Sequence, residues 1–502
     1  MPVNFLFIYP DFLEQTKNVR TLAGNYNEGI ASISAMLKSR GHKTSLYHMT
    51  YMPDKAEFER KIREFAPDII GLTLRTTIVP CATEFLGWLD DSFPDIPVFA
   101  GGYHPSLAPE ETLAIRGIDA VCIGEGELVV ADFIDLFEKT GEFDLAADSF
   151  WFNTPEGIVK NPVRQYEYDL DKIPFPDLDL FDYRSLKSNK INTAEVIISR
   201  GCLYACTYCA NAELRNNYAD KKNYARFRSP ENAIEYLERV IERDPGIEYF
   251  NFNDAILNMF PDWFYKFAAL YKEKIHRKFT CNLRFDHMDE HMVQTIAEMG
   301  CYLVTIGLEN GSEEFRKKYL LRSMENEHII KVAGWMKKNN IRVVTYNILG
   351  LPHETFALSL ETIKLNARLK ADQEVTSMFF PYPGTRLHEI SREGGFLHPD
   401  IKSSDRIQLR QPQYPRGDLL YANVYFHKLI AKYRKRYDLG GERAEKAVAK
   451  LDKKLLSPRY PRNLLQKLGF LKKKIVLSAK RAAFRFLPGV YKALRLKKYK
   501  LK

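Results

Sequence analysis

The sequence predicts an α/β protein built in series: a doubly wound parallel sheet, a partial (β/α)6 barrel, and a helical basic C-terminal region. Three observations predict it. From residue 3 to about 140, short apolar runs alternate with helix-length amphipathic stretches, as parallel strands with crossover helices require. The alternation resumes on a longer period from residue 195 to about 387. After that, basic residues accumulate on helical patterns. The expected units are therefore 1–140, a linker or wrapping segment at 141–194, a barrel at 195–390, and the helical region 391–502.

In the first unit the expected strands are 4–9, 44–48, 68–74, 97–100 and 120–123. The clearest helix is NEGIASISAMLKSRGH, which sets Ile30, Ile33 and Leu37 on one face and places Gly41 where a helix end wants positive φ. Five strands with four helices between them suggest a flavodoxin-like sheet, whose ligands bind at the carboxyl ends of the strands. Those ends carry TLRTT, AGGYHPSLAPEE and CIGEGE. Gly101, Gly102 and Gly124 would let a large ligand approach the backbone; they are equally the residues of tight βα turns. Over 141–194 periodicity gives way to proline, aspartate and aromatics, as in DLDKIPFPDLDLFDYRSL. The barrel strands are expected at 195–199, 248–253, 278–283, 303–308, 342–349 and 374–380, and barrel sites lie at strand C-termini.

Composition bounds the function. Of 502 residues, 45% are hydrophobic and 27% charged, an ordinary soluble balance. Seven cysteines, an odd and low number, exclude a secreted disulfide framework. MPVNFLFIYPDF reads as a strand rather than a signal peptide, and no apolar run approaches the roughly 18 residues of a membrane span. A cytoplasmic protein is expected. The net charge of +10 is local: residues 451–502 hold 17 Lys and Arg against Asp452 alone, so the other 450 residues sum to −6. Nucleic-acid binding by the body is not implied.

RGCLYACTYCAN puts Cys202, Cys206 and Cys209 at C-x3-C-x2-C spacing directly after the first barrel strand. Thiolates at this spacing suit zinc, but no histidine lies between His104 and His276 to complete a tetrahedron. Iron–sulfur clusters accept such runs, and three thiolates leave one iron of four open. The motif, with aromatic Tyr208, resembles the signature of the radical S-adenosylmethionine (SAM) superfamily. The resemblance implies a [4Fe–4S] cluster that reductively cleaves SAM to a 5′-deoxyadenosyl radical, and it favours a cluster over zinc.

Further segments resemble that family in order. FNFND suggests Asn253 and Asp254 near the methionine amine, with Asp254 as a helix cap the alternative. IGLENGSE offers Glu309 near the ribose or a partner arginine. NILGLPHET brings the backbone of Leu349 and Gly350 toward adenine, although His353 stands where glycine is usual. FFPYPGT resembles the sixth-strand end of the cobalamin-linked branch. Arg284 could meet ribose or carboxylate, or form a salt bridge. Cys81, Cys122, Cys281 and Cys301 read as buried apolar residues, with Cys281 alone a catalytic candidate.

A flavodoxin-like unit before such a barrel resembles the cobalamin-binding branch, in which Gly101, Gly102, His104, Gly124 and Glu125 would be cofactor-binding positions. The older D-x-H-x-x-G pattern is absent: Asp11 is followed by Leu13 and Thr16, so that loop offers no histidine. His104 reads as a hydrogen-bonding loop residue. Flavin is disfavoured because the glycine loops follow strands four and five, and methylthiotransferases would need more N-terminal cysteines.

In the tail, Leu464, Leu468, Leu471, Ile475, Ala479, Ala482 and Phe486 recur three or four apart, with Lys467, Lys474, Lys480, Arg481 and Arg485 largely off the stripe. This helix either lies on an anionic membrane or packs on the barrel, with RNA a weaker option. The resemblance implies C-methylation of a small, hydrophobic or lipid-soluble metabolite, with one SAM giving the radical and another remethylating cobalamin. Oxidative cyclisation or ring rearrangement with the same cofactors, as in the anaerobic magnesium-protoporphyrin ester cyclase branch, is the alternative; a non-catalytic cobalamin module is a third. A flavodoxin or ferredoxin would donate the electron.

Overall fold

A computed structural model describes residues 1–12, 24–398 and 407–472. Leu13, Thr16 and the tail from residue 473 lie outside the described residues. The first sheet runs β1 (Asn4–Pro10), β2 (Lys43–Met49), β3 (Ile69–Thr73), β4 (Val98–Gly101) and β5 (Ala120–Cys122). These five are parallel in the order β2-β1-β3-β4-β5, the doubly wound arrangement expected of the flavodoxin-like class. The helix Glu28–Ser39 starts where the Asn27 side chain accepts a hydrogen bond from Ile30 N, and it buries Ile30 and Leu37. Gly41, at φ +92°, turns the chain out of it.

The stretch 141–194 does more than connect. It adds β6 (Phe150–Thr154) and β7 (Gly157–Lys160), an antiparallel hairpin on the β5 edge. It then wraps: Phe181 and Tyr183 are buried and meet Tyr26 edge-on, with ring centroids 5.1 and 5.9 Å apart. Through these rings one continuous apolar core joins the first sheet to the second.

That second sheet begins with β8 (Thr193–Val196). After it come β9 (Ser199–Arg200) and β10 (Arg226–Phe227), a two-residue antiparallel clamp around the cysteine loop. The sheet continues with β11 (Tyr249–Phe252), β12 (Lys278–Asn282), β13 (Cys301–Glu309), β14 (Arg342–Leu349) and β15 (Gln373–Met378). Six parallel strands follow one another in the order β15-β14-β13-β12-β11-β8, and the two end strands do not pair, so the barrel is partial. Crossover helices cover its outer face. Pro230–Arg243, capped by Ser229 and begun by proline, buries Tyr236, Leu237 and Val240. Each such side chain contributes about 1.5–3 kcal/mol of apolar burial. The helix Arg416–Tyr437 packs on Phe356–Leu369 and carries the C-terminal core cluster.

Among the described residues, no helix is long and apolar enough to cross a membrane.

Candidate active site between the two sheets

The strand-end loops of the two sheets meet. The helix Tyr103–Leu107, after β4, packs on Ala210–Leu214, the helix that follows the cysteines. Asn217 Nδ2 donates to Ser106 O at 3.1 Å. A Cβ on Gly384, after β15, would lie 3.0 Å from Leu107 O. After β5, Glu125 is ion-paired with Arg226 and its N–H donates to Tyr218 Oη at 2.8 Å. Nearby Arg200 pairs with Glu127 at 2.7 Å, so the two halves are stitched by largely buried charge pairs.

The cysteine loop leaves the clamp through Gly201 at φ +75°, where a Cβ would lie 2.4 Å from Tyr224 O. Only glycine fits there. Cys206 is buried, and Cys202 and Cys209 are half-buried. Burial pushes the Cys209 thiol up to about 11, and the negative charges of Cys206 and Cys202 add to the rise, so the three sulfurs sit within one another's field. Among the described residues, no group of three or more His, Cys, Asp or Glu side chains converges on a single ion. A four-iron cluster asks less: one thiolate for each of three irons.

Around this loop the barrel supplies polar groups. Tyr208 donates to Glu309 Oε1 at 3.1 Å. Glu309 holds φ +62°, and Gly307 makes room for it, since a Cβ there would lie 2.2 Å from Glu309 Oε1. Burial raises the Glu309 carboxyl, while Arg322 and the Tyr208 hydroxyl oppose the rise. Arg322 Nη2 donates to Gly307 O at 2.6 Å and Nη1 lies 3.7 Å from Cys206 Sγ; its Nε has no partner. Arg322 was not among the residues the sequence singled out.

Asp254 does not cap a helix. Its Oδ1 accepts from Ile198 N at 3.0 Å and from Ser199 Oγ, tying the end of β8, while the buried Oδ2 has no partner. Burial pushes its carboxyl up to about 6. Asn253 lies on the other side of the strand, exposed in the barrel mouth, accepting from Asn251 Nδ2 at 2.9 Å. Arg284 is bound to Asp286 at 2.6 Å and stacked 3.5 Å over the Tyr204 ring of the cysteine loop. The salt-bridge alternative is therefore present, with Nη1 left unpartnered. Cys281 is buried, and burial raises its thiol well above the usual range, so it is a core residue rather than a nucleophile.

The backbone at Leu349 and Gly350 is internally engaged. Phe379 N donates to Leu349 O, Gly350 N donates to Glu354 Oε2, and Gln411 Nε2 donates to Gly350 O. Glu354 is fully buried and also accepts from Leu351 N and Ser359 Oγ. His353 occupies φ +65° with its ring stacked on Tyr319, so the left-handed turn survives without glycine.

On the opposing loop, Gly101 faces open space: a Cβ would meet nothing nearer than Cys122 O at 4.0 Å. Gly102, at φ +96°, is held against Thr73 and Leu74, and Gly124, at φ +90°, against Tyr218 Oη. Tyr103 is 55% exposed and within the field of Cys209. His104 is fully buried, yet among the described residues neither ring nitrogen has a hydrogen-bond partner, and burial lowers its pKa, favouring the neutral ring. Among the described residues, the expected hydrogen-bonding loop residue finds no partner. An imidazole absent from the Asp11 loop arrives from elsewhere: His48, at the end of β2, sits 3.1 Å from Asp11 Oδ2.

Two family descriptions match the sequence: "B12 binding domain" over residues 23–134 and "Radical SAM superfamily" over 196–365. The chain belongs to the cobalamin-binding branch of the radical SAM enzymes. Among curated relatives, an uncharacterized methyltransferase of Pyrococcus horikoshii is 26% identical over 74% of this chain and 79% of its own length. The anaerobic magnesium-protoporphyrin IX monomethyl ester cyclase of Cereibacter sphaeroides is 23% identical over 87% of this chain and 74% of its own length. Among solved structures, the radical SAM methyltransferase TsrM of Kitasatospora setae superposes with TM-score 0.66 at 16% identity, covering 96% of this chain and 99% of that one. OxsB with aqua-cobalamin superposes with TM-score 0.66 at 15% identity, covering all of this chain and 75% of that one. As an enzyme of this branch the protein uses a [4Fe–4S] cluster, SAM and cobalamin.

The residues present fit those groups. Burial holds the Cys202 and Cys209 thiols above their usual range, and a bound cation would favour their thiolates. Asp254 Oδ2 and Arg322 Nε, the latter beside Cys206, are buried polar atoms without partners in the barrel half, and both His104 nitrogens lack one in the first sheet's half.

Proposed function

We propose that this enzyme methylates an unactivated carbon of a small, hydrophobic molecule. Cys202, Cys206 and Cys209 would hold the cluster, one iron to each thiolate. Asn253, Asp254, Tyr208, Glu309 and the Leu349–Gly350 turn enclose SAM. Gly101, Gly102 and His104 meet cobalamin, and Gly124 and Glu125 fix the neighbouring loop through Tyr218 and Arg226. The observation that carries the reading is the packing of the helix Tyr103–Leu107, after β4, on Ala210–Leu214, the helix that begins directly after Cys209. It brings the cobalamin side within reach of the radical source.

When bound, the cluster supplies the electron that cleaves SAM and cobalamin supplies the methyl group. The chain's own residues do the rest. Asp254 Oδ2 accepts a hydrogen bond from a cationic amine. Arg322 neutralises charge beside Cys206 and Glu309. Glu354 holds the Gly350 turn in shape. Tyr103, Tyr346 and Tyr382, 55%, 46% and 38% exposed on the β4 loop, β14 and the loop after β15, are aromatic surface at strand-end positions, which supports a substrate with apolar parts. A small electron carrier such as flavodoxin or ferredoxin delivers the electron.

Relatives named as methyltransferases favour this reading, and they include the cytidylyl-2-hydroxyethylphosphonate methyltransferase of Streptomyces wedmorensis. The long alignment with the cyclase favours a second, oxidative cyclisation with the same cofactors. Anaerobic purification with iron, sulfide and cobalamin assays, then reduction in the presence of SAM, separates them. Methylation predicts 5′-deoxyadenosine together with S-adenosylhomocysteine. 5′-Deoxyadenosine alone would defeat methyl transfer, and zinc in place of iron would defeat both.

A further inference from the structure

The last described helix, 462–472, has two faces that differ in what they meet. One face packs on the C-terminal core: Leu465 and Phe470 join the cluster carried by Arg416–Tyr437, and Gln466 is buried. Gly469 permits the close approach, since a Cβ there would lie 2.5 Å from Val424. The opposite face is the unusual one. Leu464, Leu468 and Leu471 are 58%, 52% and 57% exposed and, at three- and four-residue spacing, form a single ridge. The helix is thus held in place mainly by residues other than its leucine ridge, and the described residues leave the ridge more than half exposed.

The charge around the ridge says what covers it. Lys467 and Lys472 are exposed beside it. The 52 residues from Leu451 onward carry +16 on a chain whose remainder is −6. The ridge's spacing continues in the sequence at Ile475, Ala479, Ala482 and Phe486, residues outside those described, again flanked by lysine and arginine. A second copy of the chain would bring this cationic segment against itself, whereas an anionic lipid surface offers both the counter-charge and an apolar layer.

We infer that the helix 462–472 docks the enzyme on an anionic membrane surface, with Leu464, Leu468 and Leu471 inserted among the headgroups and the flanking lysines on lipid phosphates. The helix lies in the interface and does not span it. The inference is independent of the reaction proposed above, because binding is read without turnover.

The test is co-sedimentation of the full-length protein with vesicles of phosphatidylcholine alone and of phosphatidylcholine with phosphatidylglycerol. The expected result is binding to the anionic vesicles only, weakened by salt. The combined variant Leu464→Ser, Leu468→Ser, Leu471→Ser should bind at least about tenfold more weakly with little change in Tm, since all three side chains are more than half exposed. Wild-type protein that ignores anionic vesicles would overturn the inference, as would a triple variant that binds them equally. Concentration-dependent dimerisation abolished by the same substitutions, without vesicle binding, would assign the ridge to a second copy instead. Tighter binding to homopolymeric RNA than to vesicles would likewise defeat it.

Discussion

Replacing Gly307 by alanine tests whether the G-x-E segment works as a built unit. The added Cβ would fall 2.2 Å from Glu309 Oε1 and 3.3 Å from Arg322 Nη2. No real carbon–oxygen contact is that short, so the carboxylate must move by more than an ångström. Glu309 cannot follow by adjusting its backbone, which already sits at φ +62° in a parallel strand with a register shift beside it. Its hydrogen bond from Tyr208, at 3.1 Å, is lost, and its place beside Arg322 is disturbed. A hydrogen bond to a charged group is worth about 1.5–3 kcal/mol, which corresponds to roughly 10- to 150-fold in affinity. Equilibrium binding of SAM to the anaerobically reconstituted variant should weaken by that factor, and 5′-deoxyadenosine formation should fall with it. Iron and sulfide content should stay at the wild-type level, because the three cysteines are untouched. Gly334→Ala is the control: it lies mid-helix, has nothing within 4 Å of its added Cβ, and should leave SAM affinity unchanged. A folded, iron-replete Gly307→Ala protein that binds SAM as wild type does would refute the placement of Glu309 at the SAM site.

Three other perturbations follow from the same geometry. His104→Phe puts a slightly larger apolar ring in place of the imidazole and removes two unpartnered buried nitrogens, so the fold should hold to within about 1 kcal/mol while cobalamin retained through gel filtration drops at least about tenfold; unchanged cobalamin content would show the imidazole to be idle. Arg226→Met leaves Glu125 without its cation and removes the guanidinium stacked 4.0 Å over Tyr166, which should cost about 2–4 kcal/mol and lower Tm, with limited proteolysis opening first in the 141–194 stretch. Glu354→Gln should flatten the pH dependence of stability. Burial pushes the Glu354 carboxyl from 4.5 up to about 7, so the folded chain binds this proton more tightly than the unfolded chain. Stability therefore falls as pH rises between about 4.5 and about 7, by about 3 kcal/mol across the window, and levels off above it. Glutamine carries no such slope, so its Tm advantage over wild type should grow through that window; parallel curves would refute the assignment.

The strand pattern was legible because it is local. RVVTYNIL, with its β-branched run, folds as β14 over the expected 342–349 residue for residue, and the other expected barrel strands each overlap an observed one. The cysteine spacing was equally local and needed no register. What could not be read depends on which strand neighbours which. Tyr9 and His48 are 39 residues apart and become partners only through the parallel register of β1 and β2, which is what delivers an imidazole to Asp11. Arg322 reaches Cys206 and Gly307 through a left-handed turn at Leu321, a conformation for which leucine gives no sequence signal. Arg226 meets Glu125 across 101 residues and Tyr218 meets the Glu125 amide across 93, and neither pair has a motif of its own.

The tail separates pattern from placement most sharply. An apolar stripe at three- and four-residue spacing has two physical meanings: the buried face of a packed helix, or the face left for another partner. Both readings of 462–472 come from the same eleven letters, and hydrophobicity alone cannot choose. The choice is made by Gly469, whose missing side chain lets the helix settle on Val424 and Tyr425. Once that face is inside, Leu464, Leu468 and Leu471 must point away from the core, because they lie half a turn round the helix axis. A larger residue at 469 would therefore do more than loosen a contact. Gly469→Leu should roll or lift the helix, reducing the 464–471 ridge exposure and weakening vesicle binding together with Tm, whereas the triple serine variant loses vesicle binding alone. The contrast between those two outcomes distinguishes a ridge that is presented by the fold from one that merely escapes it.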